Sequence, residues 1–211
     1  MSETSAALHE PWPDVERQRE GVSFGVWVFL ASEVLFFGGL FLSYTVYRFL
    51  YGDAFKIAAH ETDVFYGTLN TAILLTSSLT MAMAGRGSEA GFRRMTLWCL
   101  AATAAFGSAF LVVKGFEYHD DIVKGLIPGP AFPLHPAETQ IFWAFYWIAT
   151  GVHAIHLTVG IGAVTIVAVL LWRGRLPVKA TTYEGIALYW HFVDIIWIIL
   201  LPMLYLIGRA S

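Results

Sequence analysis

Five long apolar runs constrain what this chain can fold into more than any other feature of its sequence. Each run reaches or approaches the ~20 residues that a helix needs to cross about 30 Å of hydrocarbon. The runs are continuous and do not alternate between polar and apolar residues, which argues against the strands of a barrel. The sequence therefore predicts an all-α polytopic membrane protein, a bundle of five transmembrane helices at approximately 22–47, 64–84, 95–113, 141–172 and 187–207.

The composition agrees with a bilayer as the solvent of this chain. Of 211 residues, 57% are hydrophobic and 14% are charged, whereas a soluble domain carries about 25% charged residues. The single cysteine, Cys99, lies inside an apolar run, so neither a disulfide nor a cysteine-based metal site is expected. A net charge of −3 argues against a basic surface for nucleic acid.

The distribution of basic residues predicts the topology. Residues 1–21 are polar and have neither the basic start nor the apolar core of a secretory signal, so we expect a cytoplasmic tail before a membrane domain at 22–211. More basic residues fall on the side of the N-terminus, which predicts a cytoplasmic N-terminus and an outward C-terminus. On that side lie Arg17, Arg19, Arg86, Arg93, Arg94, Arg173, Arg175 and Lys179, against Arg48, Lys56, Lys114, Lys124 and Arg209 on the other.

Three ionisable residues lie well inside the first and fourth runs. A charged Glu33 near mid-membrane would cost at least ~2.5–3.5 kcal/mol, so we expect it to be protonated, paired or facing a polar crevice. His153 and His156 have i,i+3 spacing and therefore share a helix face. At about 1.5 Å of rise per residue, Glu33 and the histidines lie at similar depth, which predicts a contact between them.

Three other interpretations of these groups stay open. The histidines fit a metal site only with further ligands, for which the other spans offer only Glu33 and His191. They also suit hydrogen bonds between helices. A proton relay through Glu33 would need polar groups reaching both surfaces, to which Asn70 and residues 76–78 could contribute.

The last run carries a stripe of polar residues near its start. Glu184, His191 and Asp194 have spacings of seven and three and fall on one helix face. Arg173 and Arg175 lie on the same side of the membrane, and such a cationic rim is suited to an anionic lipid headgroup. The alternative is that these arginines only follow the positive-inside rule. We find no nucleophile–histidine constellation, phosphate loop or haem attachment motif.

Four segments, in this order, resemble signature segments of subunit III of haem–copper terminal oxidases. They are GVWVFLASEVLFFGGLFLSY, NTAILLTSS, TGVHAIHLTVG and YEGIALYWHFVDIIWIILLPMLYLIG. The resemblance runs from about Gly21 to Gly208 and is closest to the short five-helix bacterial form of the family. It implies helices that splay into a V-shaped cleft holding phospholipid.

The resemblance also implies a role beside the catalytic subunit. Such a chain is a non-redox subunit of a terminal oxidase, a cytochrome c or quinol oxidase, in the bacterial plasma membrane. It has no catalytic centre and no cofactor of its own apart from bound phospholipid, because haem and copper belong to partner subunits. It packs on subunit I, in a complex with subunit II and other subunits, and supports proton uptake and the turnover stability of subunit I.

Carried over by position, the resemblance assigns several residues. Glu33 matches the intramembrane glutamate of the SEV motif, and His153 with His156 match the paired histidines. Glu184, His191 and Asp194 match the last motif and the acid before it. Arg173 matches a lipid-phosphate arginine after the fourth span, a position for which Arg175 is an equal candidate. Two alternative functions remain: the five-helix accessory subunit of nitric oxide reductase, and a stand-alone small transporter, which would need broken helices at the midplane.

Overall fold

The computed structural model describes residues 15–178, 182–206 and 209. These residues form six helices followed by a π-helical turn and contain no strand, which confirms the all-α prediction. The first part of the predicted tail, residues 1–14, and Lys179 lie outside the described residues. The helices are α1 (Val15–Leu50), α2 (Gly52–His60), α3 (Val64–Glu89), α4 (Arg93–Val123), α5 (Thr139–Trp172) and α6 (Thr182–Leu201), and the turn is Pro202–Leu206.

Four helical stretches in the described part of the chain are long and apolar enough to cross a membrane. They are Ser23–Leu50, Arg93–Val123, Thr139–Trp172 and Thr182–Leu206. Each overlaps one of the predicted spans. The remaining predicted span, 64–84, is helix α3, which has the length but is not among the four. Its composition is less apolar because hydroxyl residues recur along it, at Thr71, Thr76, Ser77, Ser78 and Thr80.

The structure corrects the sequence analysis where charged residues follow an apolar run. The apolar pattern predicts that the third span ends near Val113, but α4 continues to Val123 and carries Lys114, Glu117 and Asp121 on its buried face. The pattern assigns these residues to a loop because charge normally marks the end of a span. The loop predicted after the first span likewise contains a helix, α2, with four buried residues at Ala54, Phe55, Ala58 and Ala59.

The chain divides into two compact units, Met1–Gly38 and Gly39–Ser211. Within the second unit α3, α4, α5 and α6 form a closed ring, in which each helix packs on two others and α2 packs on α5. Side-chain contacts show that α3 and α4 run antiparallel: Tyr66 meets Asp120 at one end, and Gly87 meets Thr96 at the other. The interior of this ring contains the polar groups described below.

Three helices of the second unit end in the same way. After α3, α4 and α5 the chain passes through Gly91, Gly125 and Gly174, with φ of +79°, +74° and +70°. At the end of α4, for example, the N–H of Leu126 donates to the carbonyl of Asp121 at 2.9 Å and that of Gly125 to the carbonyl of Ile122 at 3.0 Å. This pairing is the Schellman motif, which glycine favours because it has no Cβ to clash in the left-handed region.

A tryptophan of α6 is wedged between two glycines. A Cβ on Gly107 of α4 would lie 2.8 Å from Cη2 of Trp190, and one on Gly160 of α5 would lie 3.2 Å from its Cε3 and Cζ3. Trp190 is fully buried. The two glycines therefore set the distance at which α4, α5 and α6 pack.

Candidate functional site

Two ionisable side chains of α6 face the interior of the ring on the side of α3. The Ser78 hydroxyl forms a hydrogen bond with Nδ1 of His191 at 2.8 Å. Asp194, one turn further along α6, is buried, and neither of its carboxyl oxygens has a hydrogen bond within the described residues. Ser78 also lies beside Asp194. The structure thus brings the two motif residues of the last span together at the α3–α6 interface.

The other three residues predicted at this end of the molecule are exposed. Glu184 is in the first turn of α6, so it does not share the buried position of Asp194. Arg173 and Arg175 lie in the turn that follows α5. Beside them, Arg93 of α4 donates from Nη2 to the carbonyl oxygens of Leu171 at 2.9 Å and of Trp172 at 3.0 Å. Arg93, which the sequence analysis counted only as a loop charge, therefore caps the carboxyl end of α5.

An open apolar groove leads up to this basic end. It runs between α4 and α5 and is lined chiefly by Leu97, Ala101, Ala104, Thr165, Ala168 and Trp172. Trp172 is mostly exposed and immediately precedes Arg173. We call it the α4–α5 groove. The groove therefore brings an apolar surface close to the exposed guanidinium group of Arg173.

The paired histidines of α5 have different surroundings. His153 is fully buried between the rings of Phe110 and Trp197, with ring centroids 5.4 and 5.1 Å away. Neither of its ring nitrogens has a hydrogen-bond partner within the described residues. His156 is half-buried, and its Nδ1 lies 2.9 Å from the carbonyl oxygen of Val152. His153 therefore packs in the core as one ring among others.

Glu33 lies in α1 within the candidate span Ser23–Leu50, and its side chain is half-buried. It belongs to the first compact unit, whereas His153 and His156 belong to the second. The contact predicted between Glu33 and the histidine pair therefore stays a prediction.

The largest group of hydrogen-bonded polar side chains in the ring is one that the sequence analysis missed. It consists of Lys114, Glu117 and Asp121 of α4, Tyr146 of α5 and Tyr205 of the π-helical turn, all buried. We call these five residues the Lys114 cluster. Lys114 Nζ donates to Glu117 Oε2 at 3.0 Å, to the Tyr146 hydroxyl at 3.1 Å and to the Tyr205 hydroxyl at 2.7 Å.

The two tyrosines connect the carboxyl groups of this cluster. The Tyr205 hydroxyl lies 2.6 Å and the Tyr146 hydroxyl 2.9 Å from Glu117 Oε1. The Tyr146 hydroxyl also lies 2.6 Å from Asp121 Oδ2. The Lys114 ammonium lies 4.5 Å from the centre of the Tyr146 ring and 5.4 Å from that of Tyr205. A buried ammonium is thus held by hydrogen bonds, an ion pair and aromatic faces together.

The sequence does contain a signal for this cluster. Lys114, Glu117 and Asp121 have spacings of three and four, which puts all three on one helix face. A solvated loop would show no such periodicity. The two tyrosines lie far along the chain, and only the folded ring shows that they meet Lys114.

The described residues contain no group of three or more His, Cys, Asp and Glu side chains that could hold a metal ion. Cys99 is a free thiol of intermediate exposure in α4. Among the buried polar groups along the interior of the ring, Asn70, His153 and Asp194 have no side-chain hydrogen bond within the described residues, whereas those of the Lys114 cluster bond to one another across helix interfaces. Such groups connect helices where lipid provides no hydrophobic drive for association.

Comparison with known proteins gives consistent matches over nearly the whole chain. A family model described as Cytochrome c oxidase subunit III matches residues 13–209. Cytochrome c oxidase subunit 3 of Thermostichus vulcanus is 34% identical over 193 residues, which cover 88% of this chain and 87% of that protein. The corresponding protein of Corynebacterium diphtheriae is 33% identical over 193 residues, 88% of each chain.

A further relative is a longer protein. The Heme-copper oxidase subunit I+III of Aeropyrum pernix is 31% identical over 206 residues, which cover 94% of this chain. The matched region is 24% of that protein. The present chain therefore corresponds to about a quarter of this fused relative.

Proposed function

The chain belongs to the cytochrome c oxidase subunit III family, and on that premise we propose that it is the non-redox subunit of a bacterial respiratory oxidase, docked on subunit I. The observation that carries this proposal is the match over residues 13–209. The relative from Aeropyrum pernix, whose name joins subunits I and III, supports direct contact with subunit I. Haem and copper would then belong to the partner subunits. The present chain would support the proton uptake and the turnover stability of subunit I.

We further propose that all five predicted spans cross the bilayer. Helix α3 accompanies α4 from the Tyr66–Asp120 contact to the Gly87–Thr96 contact. Because α4 is itself long and apolar enough to span the membrane, a helix packed along it from end to end lies at the same depth. Five crossings put the two termini on opposite sides, with the N-terminus cytoplasmic by the positive-inside rule.

The basic end of the ring supports the proposal that this chain binds anionic phospholipid. Arg173 and Arg175 are exposed beside the α4–α5 groove, while Arg93 is engaged with the carbonyls of α5. A phosphate at the arginines with an acyl chain along the groove would match both the charge and the apolar lining. The V-shaped cleft and lipid contacts at Glu33, His156 and Glu184 remain proposals from the family resemblance, whereas the side chain of His153 is fully buried and is an intramembrane polar group with no surface open to lipid.

His191 and Asp194 suit a structural role in this scheme. His191 is bonded to Ser78 across the α3–α6 interface, and Asp194 is buried at the same interface. They would hold α6 in the ring. If His191→Ala and Asp194→Asn leave assembly, phospholipid content and turnover stability of the complex unchanged, this role is wrong.

Affinity purification of the tagged chain in a mild detergent tests the proposed function. We expect haem absorbance in the eluate together with oxidase subunits I and II. Co-purification with a nitric oxide reductase would select that alternative. Purification as a single polypeptide that moves solute or protons after reconstitution would select the transporter. Deletion of the chain should leave an active oxidase that loses activity after fewer turnovers.

Phospholipid content of the same complex tests the lipid site. Arg173→Gln with Arg175→Gln should lower the phospholipid retained per complex, because the phosphate loses its charged donors. Lys56→Gln, an exposed lysine of α2, is the matched control and should leave it unchanged. Equal phospholipid content in all three proteins would contradict this site.

A further inference from the structure

The Lys114 cluster has more close polar contacts than its side chains have protons to donate when both of its acids are ionised. Six donor–acceptor contacts of 2.6–3.1 Å connect the five side chains. Three of them start at the Lys114 ammonium, which has three protons and uses one in each. The remaining three join tyrosine hydroxyls to carboxyl oxygens.

Those three contacts have only two protons between them if both acids are ionised. Tyr205 supplies one, to Glu117 Oε1. Tyr146 supplies one, yet its oxygen lies within hydrogen-bond distance of both Glu117 Oε1 and Asp121 Oδ2. An ionised carboxylate only accepts hydrogen bonds. One of the two contacts of Tyr146 would therefore hold two oxygen atoms at hydrogen-bond distance with no proton between them.

We propose that the Lys114 cluster is a proton-binding site and that the bound proton is on Asp121, which donates to the Tyr146 hydroxyl. With this proton every one of the six contacts has a donor. Tyr146 then accepts from Lys114 and Asp121 and donates to Glu117. The cluster contains one ammonium, one carboxylate and one neutral acid, so it has no net charge.

The geometry assigns the proton to Asp121 and not to Glu117. Glu117 faces Lys114 directly at 3.0 Å and accepts from Tyr205 on its other oxygen, an environment that favours the carboxylate. Asp121 has no direct hydrogen bond to Lys114 and contacts the cluster through Tyr146 at 2.6 Å. A buried carboxyl group with no counter-charge in contact is the one that stays neutral.

Neighbouring titratable groups do not supply the missing donor. The Tyr118 hydroxyl bonds Thr150 at 2.6 Å, and Tyr66 of α3 bonds Asp120 on the outside of the ring at 3.2 Å. His153 of α5 has no hydrogen bond within the described residues. Lys124, the other cation near Asp121, follows the end of α4.

Infrared spectroscopy of the purified complex, with isotope-labelled aspartate, tests the proposal. The wild type should show the carbonyl stretch of a protonated aspartic acid that shifts in D₂O, and Asp121→Asn should lower its intensity by one carboxyl group, leaving only what the other buried aspartate, Asp194, contributes. This substitution is not expected to disturb the fold, because the new amide donates to Tyr146 as the acid does. Asp120→Asn, the same change at the exposed neighbouring residue, is the control and should leave the band unchanged.

A labelled wild type with no protonated aspartate, or a band that Asp121→Asn does not reduce, would overturn the proposal. If Asp121→Asn fails to assemble, Tyr146→Phe gives a second measurement. Loss of the accepting hydroxyl should shift the Asp121 band to the higher frequency of a more weakly bonded acid. A band unmoved by Tyr146→Phe would place the proton on another aspartate and reject the site.

Discussion

At the scale of single residues, two lysine–carboxylate pairs with the same i,i+3 spacing have opposite surroundings. Lys114 and Glu117 are 3.0 Å apart with side chains 3% and 2% exposed. Asp53 and Lys56 are 3.8 Å apart with side chains 99% and 58% exposed. Sequence spacing alone treats the two pairs as equal, whereas burial makes only the first one important for stability.

Lys114→Met should therefore destabilise the folded chain by about 3–5 kcal/mol, because Glu117 is left buried without its counter-charge. Lys56→Met should cause little measurable change. The midpoint of unfolding in mixed detergent micelles measures both. Adding Glu117→Gln to Lys114→Met should cost less than the sum of the single changes, since the second removes a charge that the first left unpaired. Full additivity would contradict coupling within the cluster.

The hydrogen bond between Ser78 and His191 gives a second prediction at this scale. Ser78→Ala and His191→Ala should be coupled by about 0.6 kcal/mol in a double-mutant cycle, the average of such cycles in one helical membrane protein. Ser108 of α4 serves as the control, because its hydroxyl bonds only the carbonyl of Ala104 in its own helix. A cycle of Ser108→Ala with His191→Ala should show no coupling; coupling of equal size in both cycles would refute the bond.

Individual site residues were predictable only in part. His191 and Asp194 fall on one helix face by their spacing, and the structure has them on the α3 side of α6. Glu184 shares that spacing but is exposed in the first turn of α6. Tyr205 was not predictable, since its place beside Lys114 depends on how the chain turns after Pro202.

At the scale of helices, the wedge of Trp190 determines how closely three of them pack. Gly107→Ala should destabilise the fold by about 1–3 kcal/mol, because its Cβ would lie 2.8 Å from the Trp190 ring. Gly115→Ala in the same helix is the control, since a Cβ there meets nothing within 4 Å, and it should be neutral or stabilising. Detergent unfolding of the two variants compares them. A Gly107→Ala protein as stable as Gly115→Ala would show that the helices around Trp190 can move apart to accommodate the added Cβ.

The positions of the helices were largely predictable, but the points at which some of them end were not. Apolar runs located four spans, and the start of α3 at Val64 was predicted to the residue. The error at α4 has a physical cause: the extension to Val123 is stabilised by contacts of Lys114 and Glu117 with tyrosines of other elements. Hydropathy counts such charges against a helix in lipid, although here they face protein.

At the scale of the whole molecule, the number of crossings decides where the termini lie. Two single-cysteine variants, each carrying Cys99→Ser, test the crossing of α3. Lys56→Cys lies before α3 and Glu89→Cys lies at its end, and both positions are exposed. If α3 crosses, an impermeant thiol reagent should label them from opposite sides of the membrane. Labelling of both from one side would leave only four crossings and would put the termini on the same side.

The interdependence of the Lys114 cluster also bears on how this chain changes over evolutionary time. Apart from Asp121→Asn, which keeps a donor to Tyr146, a single replacement in the set leaves a buried charge or hydroxyl without its partner. Substitutions at positions 114, 117, 121, 146 and 205 should therefore occur together across lineages. An alignment in which these positions vary independently would show that the fold tolerates single changes within the cluster.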